Sequence, residues 1–296
     1  MRLFLNILEI ISILIVICFM LVCVISWIEN RRLTVTRYQI RDACLPAAFN
    51  GFHIVHLSDM HNVSFGTNNE QLLKRVAALK PDVILITGDM IIAKPGMDVT
   101  FAADTMNELS GIAPVYFSLG NHELRTMLYP QEYPGMWETF SERLVPEIHL
   151  LLDEAVTLVR ENSCIHLYGL NLTQELYKRF VLTPMPDDYL TSLFGVCDPD
   201  AYHILMAHNP DYFKDYAAWG ANLTFSGHVH GGMIRIPFLG GLLSPMVHFF
   251  PKYDKGIFED SNKYMILSGG LGNHTFRFRV NNLPEIVSVS IYQETV

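Results

Sequence analysis

The chain has few cysteines, no excess of positive charge and one long apolar run near its N-terminus. Of its 5 cysteines, those beyond the run, Cys44, Cys164 and Cys197, are odd in number and widely spaced. This argues against the disulfide framework of a small secreted domain. With 21 Lys and Arg against 30 Asp and Glu, the formal net charge is −9. We expect no nucleic-acid partner, because binding a polyanion needs a basic surface.

The apolar run at residues 10–28 contains no charged residue. Its length is close to the roughly 20 residues with which a helix crosses a bilayer core. We expect residues 1–30 to form an uncleaved, single-pass membrane anchor with Trp27 at the interface. A cleaved signal peptide is the alternative, but no small-x-small cleavage site follows. Residues 31–50 are interpreted as a juxtamembrane connector, and residues 51–296 as one large domain.

Five short polar motifs each follow an apolar, strand-like run. They are Asp59-Met60-His61, Gly88-Asp89, Gly120-Asn121-His122-Glu123, Ala207-His208 and Gly227-His228-Val229-His230-Gly231-Gly232. Their carboxylate, amide and imidazole groups form the oxygen and nitrogen donor set that suits Mn, Fe or Zn. In open sheets, ligand sites gather at the carboxyl ends of strands. We therefore predict a site for two divalent metal ions with these ligands: Asp59, His61, Asp89, Asn121, His208, His228 and His230.

Asp89 is the expected bridge between the ions. Two cations about 3.5–4 Å apart need a shared ligand, and a carboxylate has two oxygens to offer. Asp59 and His61 would then hold one ion, and Asn121 and His208 the other. If the motifs are extended, Asp59 and His61 share one face, as do the two histidines of the last motif. The flanking glycines would let the backbone turn tightly near the ions.

These motifs together resemble those of the calcineurin-like metallophosphoesterases, over about residues 51–290. More narrowly, the sequence is similar to membrane-anchored bacterial members of the YkuE type, a group that resembles UDP-2,3-diacylglucosamine pyrophosphohydrolases. The resemblance implies a four-layer αββα sandwich with two mixed sheets between helices. It also implies which residues hold each ion. One ion is expected on Asp59, His61, Asp89 and His230, and the other on Asp89, Asn121, His208 and His228.

The expected activity is hydrolysis of a phosphodiester or pyrophosphate bond by a hydroxide that bridges two metal ions. The resemblance implies that His122 is a catalytic residue and not a metal ligand. Because His122 directly follows a predicted ligand, its imidazolium is a candidate acid for the departing alkoxide. A lipid-linked substrate would suit the anchor. Two alternatives stay open: a phosphomonoesterase with the same site, and a catalytically silent membrane scaffold of the same fold.

The sequence departs from the wider family at two positions near these motifs. Many members continue the second motif as G-D-x-x-D-R, whereas Asp89 is followed here by Met90-Ile91-Ile92-Ala93. The missing acid and arginine count against a protein phosphatase, and they remove one possible acid partner of His122. In addition, Met233 replaces a glutamine that often follows the last motif.

Alternating strand and helix patterns predict an α/β protein. The buried strands that end at the five motifs are expected at residues 53–58, 83–87, 115–119, 204–207 and 223–226. Helices are expected at residues 69–79, 98–110, 136–144 and 211–219. A hairpin is predicted from residues 156–160 and 164–170. Two more strands, at residues 264–268 and 286–292, complete the pattern.

The arginines around the apolar run bear on which side of the membrane the domain faces. Arg31, Arg32, Arg37 and Arg41 follow the run, whereas Arg2 precedes it. Basic residues accumulate on the cytoplasmic side, so this distribution favours a cytoplasmic domain. The extracytoplasmic side stays open, because relatives of the YkuE type include exported proteins.

Two further segments are candidates for substrate contact. Residues 236–258 follow the last motif with an apolar series broken by glycine and proline. This loop is expected either to cradle an acyl chain and touch the bilayer, or to cover the core. Arg277 and Arg279 follow the turn at residues 269–272, where a guanidinium could steady a phosphate oxygen. Solvated strand arginines are the alternative.

Overall fold

Short, continuous apolar runs form the inner strands of the protein. The run Val83–Ile86 is wholly buried, and its side chains alternate between two cores. Ile84 and Ile86 pack into one core, while Leu85 packs into the other. A strand that buries both faces must lie between two other layers.

The computed structural model describes residues 2–178, 180–244, 248–273 and 278–294. The strands are β1 Thr34–Asp42, β2 Phe52–Leu57, β3 Val83–Ile86, β4 Val115–Phe117, β5 Ile148–Leu150, β6 Glu154–Arg160, β7 Ser163–Leu170, β8 His203–Ala207, β9 Leu223–Ser226, β10 Arg235–Ile236, β11 Gly240–Gly241, β12 Gly256–Asp260, β13 Lys263–Leu267 and β14 Glu285–Gln293. The α-helices are α1 Arg2–Glu29, α2 Glu70–Leu79, α3 Thr100–Ser110, α4 Asn121–Leu128, α5 Met136–Arg143, α6 Tyr189–Phe194 and α7 Phe213–Trp219.

These strands form two mixed, six-stranded sheets. The first sheet has the order β1-β14-β2-β3-β4-β5, and within it only the β14–β2 pair is antiparallel. The second has the order β12-β13-β9-β8-β7-β6, with antiparallel pairs at its two edges and parallel pairs between. Strands β10 and β11 form a separate small ribbon. The predicted pair of mixed sheets is confirmed.

Clusters of apolar side chains fill the spaces between successive layers. Ile54 and Val289 of the first sheet pack with Ile204 and Phe225 of the second, so the sheets face each other. The outer face of the first sheet is covered by α2, α3 and α5. The outer face of the second is covered by α6 and α7. This order of layers, αββα, confirms the expected fold.

The structure of the residues directly after the apolar run differs from the prediction. Residues 31–50 were expected to form a connector, but nine of them form β1, an edge strand of the first sheet. Strand β1 pairs in parallel with β14, from Thr34 opposite Glu285 to Asp42 opposite Gln293. The partner strand lies near the opposite end of the sequence, so no local sequence pattern predicts the pairing. The domain therefore begins before residue 51.

Helix α1 is long and apolar enough over Phe4–Glu29 to cross a membrane. The most apolar part of this helix is not buried against the rest of the protein. Its last turn is different, because Ser26 is buried against the domain with only 2% of its surface exposed. The candidate span thus ends in contact with the two-sheet domain.

Candidate metal centre

The sheet topology brings the five motifs to one place. Strands β2, β3 and β4 are parallel neighbours in the first sheet, and β8 and β9 are parallel neighbours in the second. Their carboxyl ends therefore lie at one edge of each sheet, where the motifs follow. All seven predicted ligands are buried at this edge: Asp59, His61, Asp89, Asn121, His208, His228 and His230.

The ligand atoms lie close enough together to surround metal ions. Asp89 Oδ2 is 3.2 Å from His208 Nε2 and 3.7 Å from His61 Nε2, so this carboxylate adjoins both halves of the site. Asp59 Oδ1 is 3.6 Å from His230 Nε2, and the Nε2 atoms of His61 and His230 are 3.3 Å apart. Donors about 2.0–2.2 Å from one ion have comparable mutual spacings.

Two separate clusters match the two predicted ions. Asp59, His61 and His230 form one group whose ligand atoms all lie within 4.8 Å of one another, and Asp89, His208 and His228 form a second. A third group joins His61, Asp89 and His122, so distance alone does not separate His122 from the ligands.

Hydrogen bonds on the far side of the rings distinguish the histidines. Nδ1 of His61, His208 and His230 faces the backbone carbonyls of Ile91, Thr87 and Gly272, at 3.2, 2.5 and 2.9 Å. A carbonyl can only accept, so Nδ1 holds the proton and donates it. Nε2 then keeps the lone pair that a metal needs.

His122 has the opposite arrangement. The backbone N–H of Ala93 donates to His122 Nδ1 at 2.8 Å, so that nitrogen holds a lone pair and Nε2 holds the proton. Nε2 points towards the centre, 3.9 Å from Asp89 Oδ2. A protonated Nε2 is unsuited to a metal and suited to donating a hydrogen bond. The expectation of an imidazolium acid is not supported, because a donor already occupies the Nδ1 lone pair.

The amide ligand fits a metal as well. Asn121 Oδ1 is buried and has no hydrogen-bond partner among the described residues. A buried polar atom without a partner costs about 1–3 kcal/mol, so such atoms generally signal a missing ligand or a functional role. The donor set, the ring orientations and this oxygen all fit a pair of divalent cations.

The backbone of the motifs is not extended, contrary to the sequence argument. Positive φ values between 48° and 74° occur at five of the predicted ligands: Asp59, His61, Asp89, His228 and His230. Few residues other than glycine adopt the left-handed region, although aspartate and histidine do so more often than most, and a concentration of such residues is typical of functional sites. The shared direction of Asp59 and His61 therefore comes from a tight turn, not from strand alternation.

Two glycines of the motifs are needed for close approach. A Cβ on Gly120 would lie 2.2 Å from Asp89 Oδ1, and a Cβ on Gly227 would lie 2.4 Å from Asp59 Oδ2. Both contacts are shorter than real Cβ contacts, so any side chain here would displace a predicted ligand. This agrees with the expectation that the backbone comes close to the ions.

Glu123 is a residue of the site for which no role was predicted from the sequence. Its fully buried carboxylate accepts the backbone N–H groups of Asp89, Met90, Ile91 and Gly120, at 2.7–3.1 Å. It therefore fixes the turn that presents Asp89. The only signal in the sequence was its place in the third motif, directly after His122.

Burial and close charges shift the pKa values of several side chains in the site. Burial raises the pKa of Asp59 to about 6. Burial would also raise that of Asp89, but the charge of His208 and its hydrogen bond to the carboxylate outweigh burial and hold the Asp89 pKa well below its usual range. Burial disfavours a charged His208, yet the Asp89 and Asp59 carboxylates raise its pKa to about 9. Without metal, His208 thus binds a proton at neutral pH.

Metal binding is therefore expected to release a proton. At pH 7 His208 is below its pKa of about 9 and protonated, so a metal must displace that proton to reach Nε2. Since one proton competes with the metal, the apparent dissociation constant should fall about tenfold per pH unit between pH 6.5 and 8.5. Titrations in metal-buffered solutions measure this slope. The variant His149→Gln, which alters an exposed histidine, should keep it, and a pH-independent constant would contradict the assignment.

Arg279 does not lie where a substrate could reach it. It is fully buried, and its guanidinium donates to the carbonyls of Gly269, Gly270, Gly272 and Asn282, at 2.8–3.3 Å. With these donors committed to backbone, the structure does not support the predicted contact with a phosphate. Arg277, the other predicted arginine, lies outside the described residues.

The loop expected either to touch lipid or to cover the core exposes much of its apolar series. Phe238, Leu239, Phe249 and Phe250 are exposed, whereas Leu242 and Leu243 are partly buried. The Leu243 N–H donates to the carbonyl of Gly232, which ties the loop to the last metal-binding motif. Met246 and Val247, also part of the predicted series, lie outside the described residues.

The fold and this donor set define a metal-dependent phosphoesterase, and comparison with known proteins gives its family. Residues 52–232, more than half of the chain, match the model of the calcineurin-like phosphoesterases. The chain therefore belongs to the calcineurin-like phosphoesterase family.

Three relatives are similar to this chain over most of their own length. The chain is 25% identical over 262 residues to the uncharacterized metallophosphoesterase YkuE of Bacillus subtilis, covering 88% of this chain and 86% of YkuE. It is 24% identical over 250 residues to the phosphodiesterase YaeI of Escherichia coli, covering 81% and 82%. It is 24% identical over 322 residues to the UDP-2,3-diacylglucosamine pyrophosphatase LpxG of Chlamydia muridarum, covering 89% and 92%. The expected resemblance to YkuE-type proteins is confirmed.

Proposed function

We propose that this protein is a membrane-anchored phosphohydrolase that cleaves a phosphodiester or pyrophosphate bond in a lipid-linked substrate. Two ions would be held by the seven predicted ligands, with Asp89 shared between them. The observation that supports this most strongly is the common orientation of His61, His208 and His230, whose Nε2 atoms all face the two carboxylates. When bound, the cations would activate a water and neutralise charge on phosphoryl oxygens.

The residues of the chain itself have three tasks in this reaction. Glu123 holds the turn of Asp89 in place through four backbone hydrogen bonds. The carbonyls of Ile91, Thr87 and Gly272 orient three imidazoles. His122, with its Nε2–H towards the centre, would donate a hydrogen bond to a phosphoryl oxygen or to the leaving group as negative charge develops.

A metal analysis combined with a substrate screen tests this proposal. Purified full-length protein should contain close to two divalent ions, with Mn, Fe or Zn as the candidates that suit the donors. The screen should include phosphomonoesters, phosphodiesters and nucleotide-linked lipids. Hydrolysis of monoesters alone would favour the phosphomonoesterase alternative. A protein inert towards every phosphoester with Mn or Zn added would favour the scaffold.

A lipid-linked substrate is supported by exposed apolar side chains on two segments beside the site. The exposed residues Phe238, Leu239, Phe249 and Phe250 belong to the loop attached to the last motif. The exposed residues Phe180, Val181 and Leu182 follow Tyr177, whose ring centroid lies 5.2 Å from that of His228. Exposed apolar patches mark surfaces for lipid, ligand or protein partners. The similarity to a UDP-2,3-diacylglucosamine pyrophosphatase points to the same substrate class.

Replacing the two exposed phenylalanines tests the role of the loop in lipid recognition. In the variant Phe249→Ser/Phe250→Ser, we expect hydrolysis of a lipid-linked pyrophosphate to fall about a hundredfold or more, because roughly 1.5–3 kcal/mol of burial is lost for each of two aromatic rings. Hydrolysis of a small nitrophenyl phosphodiester should be unchanged. The control Val159→Ser alters another exposed apolar residue, on β6. Equal losses on both substrates would indicate a folding defect and contradict the lipid role.

The side of the membrane also belongs to the proposal. Arg31 lies at the end of the candidate span, where its Nη1 donates to the carbonyl of Trp27 and its guanidinium lies 4.1 Å from the Trp27 ring centroid. Such an Arg and Trp pair is typical of a membrane interface. Together with Arg32, Arg37 and Arg41, it supports a cytoplasmic domain. Labelling of the exposed Cys164 by an impermeant thiol reagent in intact cells would contradict this orientation.

A further inference from the structure

The last turn of the anchor helix α1 is hydrogen-bonded to the domain. Ser26 Oγ accepts the backbone N–H of Arg279 at 2.9 Å, and Glu29 Oε2 accepts the backbone N–H of Asn282 at 3.1 Å. Most of the helix is exposed, yet Ser26 is almost completely buried. The end of the anchor therefore holds residues 279–282 at two points.

Residues 279–282 in turn hold a predicted metal ligand. Asn282 Nδ2 donates to the carbonyl oxygen of His230 at 2.7 Å. Arg279 Nη2 donates at 2.8 Å to the carbonyl of Gly272, the same carbonyl that accepts His230 Nδ1 at 2.9 Å. The backbone and the ring of His230 thus both depend on this segment.

The same segment also supports Asp59. The guanidinium of Arg279 binds the carbonyls of Gly269, Gly270 and Gly272, which fixes the turn at residues 269–272. The Gly272 N–H donates to the carbonyl of Asp59 at 2.6 Å, and the Cα of Gly270 lies so close that a Cβ there would be 2.8 Å from Asp59 Cβ. Asp59 and His230 belong to one predicted ion, so one turn supports two of its ligands.

The complete burial of Arg279 makes the position of its guanidinium sensitive to the backbone around it. A guanidinium that is fully removed from water needs hydrogen-bond acceptors, and here backbone carbonyls accept from Nη1 and Nη2, while Nε has no partner among the described residues. The position of the Arg279 side chain therefore depends on the position of its own backbone, whose N–H donates to Ser26. A shift of residues 279–282 would move the carbonyl of Gly272 and, with it, the proton-accepting partner of His230.

We infer that Ser26 and Glu29 are positioning residues of the metal centre: the membrane anchor holds the segment that orients His230 and Asp59. This inference rests on the proposed two-metal function. Its consequence is that the anchor is part of the catalytic structure as well as a tether. The ion held by Asp59, His61 and His230 should depend on the end of α1, and the ion held by Asp89, His208 and His228 should not.

The test compares metal retention in full-length protein in detergent or lipid nanodiscs. In the double variant Ser26→Ala/Glu29→Ala, we expect one of two ions to be released to a chelator about tenfold faster, at the lower end of effects seen for outer-shell partners of ligands. The second ion should be retained as in the wild type. The single variant Glu29→Gln keeps Ser26 and an acceptor oxygen at position 29. It should therefore retain metal almost as well as the wild type.

Two matched controls and one stability measurement complete the design. Ser12→Ala makes the same change at an exposed serine of α1, and Arg32→Ala alters an exposed residue just beyond the helix. Both should release metal at the wild-type rate. Release from the double variant at the control rate would overturn the inference, as would loss of both ions with a lower unfolding temperature of the chelated protein. A wild type that binds no pair of ions would instead overturn the proposed function, and the inference with it.

Discussion

Replacing Asp89 by asparagine is expected to abolish metal-dependent hydrolysis while leaving the fold in place. Asp89 adjoins His61, His122 and His208, at distances of 3.2–3.9 Å from their Nε2 atoms. An asparagine has one acceptor oxygen and no charge, so it can neither bridge two cations nor offset their charge. We expect kcat/KM to fall by at least about a thousandfold, equivalent to roughly 4 kcal/mol of transition-state stabilisation.

The measurement for Asp89→Asn is activity with a nitrophenyl phosphodiester together with metal content. Metal content should fall from two ions per chain to one or none. Asp200→Asn makes the same change at an exposed carboxylate and should retain full activity. Substantial activity in Asp89→Asn with both ions bound would contradict the bridging role. A lower unfolding temperature of the chelated variant would show that Asp89 supports the fold itself.

Removing the Glu123 side chain should have the second largest effect, on stability and on metal binding together. Glu123→Ala leaves four buried N–H groups without their acceptor. An unsatisfied buried donor costs about 1–3 kcal/mol, and water entering the space left by the side chain would recover part of this. We expect the free energy of unfolding to fall by roughly 3–5 kcal/mol.

Calorimetry and metal analysis measure these two effects of Glu123→Ala. The unfolding temperature should drop by about 10 °C, since 1 kcal/mol corresponds to about 2–4 °C in a domain of this size. Metal content should also fall, because the turn of Asp89 loses its support. Glu142→Ala alters an exposed glutamate of α5 and should change neither quantity. Glu123→Gln keeps one acceptor oxygen and should lie between. Unchanged metal content in Glu123→Ala would limit the residue to a stabilising role.

The hydrogen bonds of His122 narrow the choice of mechanism. With the Ala93 N–H donating to Nδ1, the ring is held as the neutral tautomer that has its proton on Nε2. A neutral imidazole is a very weak acid, so His122 is better suited to stabilising developing negative charge than to transferring its proton fully. Ala93 stands where the wider family pattern has arginine, and its backbone, rather than a side-chain acid, now positions the histidine.

Much of the fold was predictable because its signals are local. Buried strands such as β3 and β9 appear as short apolar runs, and helices such as α2 show apolar residues on one face. Predicted and observed ends differ by one or two residues, as for β4, which ends at Phe117 rather than at residue 119. Helix α4 was missed because its first residues, Asn121 to Glu123, were interpreted as a ligand motif alone.

Three other features escaped prediction because they depend on distant partners. Strand β1 exists because β14 pairs with it along nine residues. Glu123 matters because its carboxylate reaches the backbone of a loop more than thirty residues earlier in the chain. Arg279 was predicted to steady a phosphate oxygen, yet it is buried among carbonyls of a turn. None of these relationships leaves a periodic or compositional trace in a single sequence.

The sequence by itself determined the chemistry available to this protein. Carboxylate, amide and imidazole donors that follow apolar strands allow a divalent-metal phosphoesterase, and one apolar run of about 20 residues allows a membrane span. Only the tertiary structure decided how those groups are used. It selected Nε2 of three histidines by placing a carbonyl behind each ring, and it turned the Nε2–H of His122 towards the centre. The physical reason is that a hydrogen-bond partner from a distant part of the chain sets the tautomer of a ring, and only folding brings that partner near.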